Sequence, residues 1–317
     1  MKKLLLTLGC MFHLLSYAQS TPQTSLVVAF PAGGPADRIA RLISDKLGTE
    51  LNEVVVVENR SGASGSIAAN YVIRSQSPDN TLFLSNGGAL TINPAIDPAL
   101  PYAPQKDFKP VSMVADTTTV MVTGAPTDVV DAADFIRRAK TDKGTPSAGS
   151  SGVGGASHLS IEMFQESSGV KLLHVPYKGA APAITDVVGK RVDLFFGDLP
   201  GVMGLIEGGK LKVLGIAGDQ PSKLLPGIRT LDAQGIPGVT PSGWYGVVMP
   251  ATANDARVAK VAQALRKVLT DPEMAAKFRA MGAVASPSSP EEFRVFLDQD
   301  AKKWASLAQR RNLNNSK

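Results

Sequence analysis

The chain has 317 residues, 44% hydrophobic and 19% charged, which is long and apolar enough for a sizeable core and for two lobes. That excludes a mini-protein and argues against wholesale disorder. Its 30 Gly and 22 Pro follow no Gly-x-y period, so they mark turns and binding loops rather than a fibre. The net charge of +5 is spread along the chain, with no run of four basic residues and no basic stripe interleaved with aromatics; no nucleic-acid partner is expected.

Lys2 and Lys3 precede an apolar stretch over 4–15 that ends at Ser16-Tyr17-Ala18. This is the pattern of a secretory signal peptide, 1–18, cleaved after Ala18. Cleavage would also remove Cys10, the only cysteine, so no internal disulfide is expected. The apolar stretch continues past Cys10 to Leu15, which disfavours a lipid attachment there. Nothing after residue 20 approaches the roughly 18 uninterrupted apolar residues of a spanning helix. The expected address is the periplasm.

After the leader, 26–30 reads as a buried strand that stops at Pro31-Ala32-Gly33-Gly34-Pro35. Ala36, Ile39, Ala40, Ile43 and Leu47 then recur at helical spacing. The unit repeats: a strand at 54–57, a glycine loop and a helix at 66–74, then a strand at 81–84 leading into Ser85-Asn86-Gly87-Gly88. Nearly continuous apolar strands alternating with helices predict mostly parallel sheets covered on both faces, with ligands gathered at the carboxyl ends of the strands.

Around 120–125 the pattern changes, and a helix is predicted over 129–140. The segment 145–155, which includes Ser147, Ala148, Gly149 and Ser151, reads as a polar glycine-rich loop before a helix at 157–167. Strands at 172–175, 192–196 and 211–217 and a helix at 182–188 complete a second α/β lobe. The chain returns to the first lobe at a strand over 244–249, followed by helices at 256–269, 272–281 and 290–310. The predicted division is lobe 1 over 19–122 and 240–317 and lobe 2 over 123–239, with the binding site in the cleft between them.

Several chemistries lack their residues. His158 and His174 have no third partner for zinc, and there is no phosphate loop, dinucleotide fingerprint, His-Glu-x-x-His or nucleophile elbow. No cofactor, metal or catalytic residue is expected. Glycine loops at 32–34, 85–88, 147–155 and 177–179 offer backbone N–H groups ahead of helix N-termini, which suits a small carboxylate without a lysine or arginine. Each loop also reads as an ordinary strand end. Asp37 is either a helix-start charge or an acceptor for a ligand's amine, hydroxyl or ring nitrogen, and Asp198 has the same two readings. Tyr177 either packs between lobes or offers its ring and hydroxyl to a ligand. His158 is expected to anchor a loop rather than to catalyse.

Three strings make the sequence recognisable: Val28-Ala29-Phe30-Pro31-Ala32-Gly33-Gly34-Pro35-Ala36-Asp37, Val57-Glu58-Asn59-Arg60-Ser61-Gly62-Ala63-Ser64-Gly65, and His174-Val175-Pro176-Tyr177-Lys178-Gly179 with Val192-Asp193-Leu194-Phe195-Phe196 behind it. With Pro78-Asp79, Lys106-Asp107-Phe108, His158-Leu159 and Ser289-Pro290-Glu291-Glu292-Phe293, in this order, they closely resemble the tripartite tricarboxylate transporter substrate-binding family, also called the Bordetella uptake gene family.

The resemblance implies a two-lobed, Venus-flytrap-like periplasmic binding protein of type II, without catalysis; a monomer is expected. It implies capture of a small carboxylate by lobe closure and delivery to a tripartite permease; a sensory receptor without a permease is the alternative, with a periplasmic hydrolase behind it. It also implies that Phe30, Ala32, Gly33, Gly34 and Asp37, with Ser85, Asn86 and Gly87, hold one end of the ligand through backbone amides and waters. Ser147, Ala148, Gly149, Ser151, Tyr177, Gly179 and Asp198 would line the opposite wall. Ala36 departs from the family's usual Thr, Ser or Asn and removes a hydroxyl beside the ligand.

Overall fold

A computed structural model describes residues 22–241 and 243–311; the expected signal peptide lies outside them. β1 (Gln23–Val28) carries Leu26, Val27 and Val28, all fully buried, because helices cover both faces of its sheet. α1 (Pro35–Leu51) has proline at its first position and stops at Asn52, whose left-handed φ of 58° lets its N–H return to Gly48 and Thr49 carbonyls. β2 (Val54–Asn59), α2 (Ser66–Ile73) and β3 (Thr81–Ser85) follow. A wide helical turn, Gly88–Ile92, then leads through α3 (Asn93–Ile96) and α4 (Pro104–Asp107) to β4 (Phe108–Thr117).

The second lobe holds β5 (Thr119–Gly124), α5 (Ala132–Thr141), β6 (Ser147–Ser150), α6 (Ala156–Ser168), β7 (Leu173–Pro176), α7 (Ala180–Val188), β8 (Leu194–Asp198), α8 (Leu199–Glu207) and β9 (Leu211–Ala217). The chain then returns through β10 (Trp244–Pro250), α9 (Asp255–Thr270), α10 (Pro272–Ala280), β11 (Ala283–Ala285) and α11 (Pro290–Arg311).

The first sheet has the order β11-β4-β10-β3-β1-β2 and the second β7-β6-β8-β5-β9. β1, β2 and β3 pair in parallel, as do β6, β7 and β8. β10 is antiparallel to β3 and β4, and β5 to β8 and β9. Each sheet is therefore a parallel set with one inverted strand inserted at the same place, the strand that brings the chain in from the other lobe; β11 adds an inverted edge to the first.

Three expectations change. β4 pairs in the first sheet and β5 in the second, so the first crossing sits at Thr118 and not at 122/123. The supposed loop 145–155 contains β6, a strand flanked on both sides, whose Ala148, Gly149 and Ser150 are buried; small residues there let α6 and α7 approach the sheet. The last helix belongs to both lobes. Its Phe293 packs in a first-lobe cluster with Phe83 and Trp244, while Trp304 and Leu307 join Phe164 and Phe196 of the second. Between them the buried Asp300 carboxylate accepts from Trp244 Nε1, Trp304 Nε1 and Thr91 Oγ1 at 3.3, 3.1 and 2.6 Å.

Candidate ligand site

The carboxyl ends of β1, β3, β6 and β8 meet between the lobes, as expected for α/β sheets. Phe30, Asn86, Ser151 and Asp198, just beyond or at those ends, line an inner cavity of about 40 Å³. Four helices begin at its wall: α1 at Pro35, α6 at Ala156, α7 at Ala180 and α8 behind Asp198. None has a side-chain cap hydrogen bond. At α8 the Leu199 N–H already donates to the Thr118 carbonyl at 2.9 Å and Pro200 has no N–H; the first-turn amides of α1, α6 and α7 lack intrahelical acceptors and their dipoles point positive ends inward, so that side of the cavity favours an anion.

The lobe 1 wall is locked from within. Asp37 is 3% exposed; its Oδ2 accepts from Gly33 N–H at 2.9 Å and Arg41 Nε at 3.0 Å, and its Oδ1 from Asn59 Nδ2 at 3.0 Å. Asn59 also donates to the Phe30 carbonyl at 3.0 Å. Burial alone would raise the Asp37 pKa, but the bonds from Arg41, Gly33 and Asn59 outweigh it and hold it below the usual carboxylate range. Asp37 thus shapes the loop 30–34, which turns at Gly33 with φ of 80°.

Asp198 is different. Its Oδ1 accepts from Thr119 Oγ1 at 3.0 Å and its Oδ2 from Tyr245 Oη at 2.6 Å. Tyr245 lies on β10 of lobe 1 and Asp198 at the start of α8 in lobe 2, so this bond crosses the cleft. Burial raises the Asp198 pKa, the hydroxyls of Tyr245, Thr119 and Thr117 partly offset it, and the nearby Asp116 adds a smaller repulsion. Burial and the Asp198 charge also push Tyr245 well above the ordinary tyrosine value.

Outside the inner cavity, sharing Phe30 and Ser151 with it, lies a second space of about 290 Å³, bounded by the loop 62–65, Val153, Pro176 and Tyr177. The Tyr177 hydroxyl donates to Asp186 at 2.5 Å, so the ring, not the hydroxyl, faces this chamber. Ser64 Oγ of lobe 1 donates to the Val153 carbonyl of lobe 2 at 2.7 Å, which closes the chamber's far side. Gly179, with φ of 148°, packs against Pro31; a Cβ there would collide with the proline ring.

Of the residues read from sequence, Phe30, Gly34, Asn86, Ser151, Tyr177 and Asp198 line one or both cavities. Gly33 and Asp37 shape the loop behind, beside the exposed Ala32. Gly87 is buried and accepts from Thr91; Ser85 is buried with its hydroxyl unpartnered among the described residues. Ser147 sits at the opposite end of β6, where its N–H and hydroxyl bind Asp193, and Ala148 is core. Tyr245, Thr119, Ser157 and Ser64 were not read from sequence. Tyr245 sits in a run, Trp244–Pro250, that is wholly buried, and only the topology brings it to Asp198.

His158 and His174 stack with ring centroids 4.2 Å apart. His158 Nδ1 accepts from Gly154 N–H at 3.2 Å, and His174 Nε2 meets Ser150 Oγ at 2.6 Å; the pair props the loop 150–155. Burial, then the neighbouring His174, lowers the His158 pKa to about 4, and burial lowers that of His174. Ser150 has a nucleophile–base distance to His174 but is fully buried and lines neither cavity. Among the described residues no helix is long and apolar enough to cross a membrane.

Comparison with known proteins places this geometry. BugT of Bordetella pertussis is 31% identical over 284 residues, 89% of this chain and 87% of BugT. The structure of the periplasmic binding protein BugD superposes with a TM-score of 0.87 at 30% identity, covering 92% of this chain and 98% of that one. The R. palustris protein Rpa4515, solved with adipate, gives 0.87 at 29% identity over 92% and 97%. The family model described as tripartite tricarboxylate transporter family receptor, TctC, matches residues 39–313, and the chain belongs to that family.

Proposed function

We propose that this protein is a periplasmic receptor that captures a small carboxylate-containing solute by closing its lobes and delivers it to a tripartite tricarboxylate-type permease. The observation that carries this reading is the convergence of three uncapped helix N-termini, α1 from lobe 1 and α6 and α7 from lobe 2, on one small cavity. An anion there satisfies amides from both lobes at once, so binding and closure are one event. The adipate bound to Rpa4515 supports a carboxylate as that anion. The solute's carboxylate occupies the inner cavity against Gly34, Ser151 and the first turns of α1, α6 and α7, and its remainder lies between Phe30 and Tyr177. Binding leaves the solute unchanged, and the permease reads the closed form.

The test is a thermal-shift screen of protein unfolded and refolded to remove carried solute, against mono-, di- and tricarboxylates, with mass spectrometry of each mixture. A saturable rise in Tm with the compound recovered intact is expected. A consumed compound would show an enzyme instead, and restored uptake in cells supplied with receptor and permease together would check delivery.

A further inference from the structure

A groove of about 580 Å³ lies outside the cleft and shares Ala63 and Val153 with the outer chamber. One wall belongs to lobe 1, with Ile67 of α2 and Ile96, Asp97 and Leu100 at and after α3; the other belongs to lobe 2, with Val153 and, on α6, Glu162. We infer that the closed receptor docks on its membrane permease through this groove, and that the permease segment seated there pairs apolar side chains with a lysine or arginine. This inference rests on the receptor reading above.

The geometry supports it in three ways. Ile67 is 54% exposed and Val153 60%, and they border one space from opposite lobes. Singly either would mean little; with the half-buried Ile96 and Leu100 between them they make one apolar strip of the kind that marks a protein interface. The charge in the groove has a single sign. Its ionisable side chains are Asp97, Glu162 and His158, whose imidazole burial keeps neutral at pH 7, and no lysine or arginine lines it, so its field selects a cationic partner. The floor joins the lobes: Gly154 of lobe 2 has φ of 76°, and a Cβ there would come within 2.8 Å of Ile96 Cδ1 and 2.9 Å of Asn93 Oδ1 in lobe 1. Opening parts Val153 from Ser64 and splits the walls, so a segment spanning the groove gains its full contact only on the closed form.

The experiment measures capture of the refolded receptor by the permease membrane subunits held in lipid nanodiscs, with and without the carboxylate that gives the largest thermal shift. Ile67→Gln is expected to weaken capture at least about tenfold while solute Kd and Tm stay unchanged. Asp97→Asn keeps the acceptor of the Ala99 N–H and is expected to weaken capture about threefold and to flatten its salt dependence. Val130→Gln, at an apolar side chain 65% exposed on lobe 2 outside the groove, is expected to change nothing. Capture unaltered by Ile67→Gln, or reduced as much by Val130→Gln, would overturn the inference while leaving the receptor reading intact. So would a concentration-dependent dimer in sedimentation that Ile67→Gln dissolves, since a second copy of the chain would then fill the groove. No capture of the unaltered, solute-loaded receptor would overturn both the inference and the delivery step of the receptor reading.

Discussion

The two walls of the cleft are built from sheets with the same strand plan, yet they are held in different ways. Lobe 1 presents a single helix start, α1, and a loop tied down by one buried carboxylate with three donors. Lobe 2 presents three helix starts and a glycine loop propped by two neutral imidazoles. The first wall is fixed by charge, the second by packing of groups that must stay uncharged. The same strand plan thus supplies one wall held by a buried charge and one held by neutral packing, and the two respond to acid for different reasons.

The largest expected effect is on the lobe 2 wall. His158 has its pKa lowered to about 4 from an ordinary 6.5, so the unfolded chain takes up this proton before the folded one. Stability is full above pH 6.5 and is lost as pH falls toward 4, by roughly 3 kcal/mol for this group. Protonation also turns Nδ1 from an acceptor of the Gly154 N–H into a donor, and Glu162, 3.6 Å from Nε2, is the acid that faces the new charge. A Tm profile from pH 7 to 4 should fall, and His158→Gln should flatten it. A profile equally steep in the variant would return the effect to other groups.

The lobe 1 wall gives the next effect, with its acid limb lower. Asp37 has a depressed folded pKa, so its contribution is present above the ordinary carboxylate value and disappears as pH falls through the folded one. Asp37→Asn should cost about 2 kcal/mol at neutral pH, mostly from amides and guanidinium left without a charged acceptor. Original and variant should converge in Tm at the acid end. A constant difference across that range would mean that shape, not charge, is what Asp37 supplies.

How much of this was legible in the sequence follows from what each residue's signal depends on. Strand–loop–helix units such as 26–47 and 54–74 were readable because apolar runs, glycine breaks and helical spacing are local. β4 was missed because bulges opposite Tyr245–Gly246 and Val247–Val248 disrupt its register and Pro110 argues against a strand. β6 was taken for a loop because Ser-Ala-Gly-Ser has no apolar pattern; its burial comes from neighbours on both sides. The glycine loops did lead to the cleft through Gly34, Asn86 and Ser151, since positions at strand ends are local too. Tyr245 and Thr119 were not found, because nothing near either residue in sequence points to Asp198. The sharing of α11 between lobes was equally hidden, since an amphipathic stripe says that a face is buried and not what buries it.

The smallest expected effect lies where the walls touch. Ala63 and Ser64 adopt left-handed backbone conformations, with φ of 46° and 49°, unusual for residues with a Cβ. That turn aims Ser64 Oγ at the Val153 carbonyl across the cleft, beside Gly152, where a Cβ would crowd Ser64 Oγ. The bond forms only when the lobes are together, so Ser64→Ala should leave the Tm of solute-free protein nearly unchanged. It should weaken solute binding by the worth of one neutral hydrogen bond, about 1 kcal/mol, or roughly fivefold in Kd. The change should appear in the dissociation rate, because Ser64 acts after the solute has entered. Stopped-flow release measurements decide the matter: a fivefold faster release with unaltered association places Ser64 in closure, whereas an equal loss of Tm with and without solute places it in the folding of the lobe 1 loop.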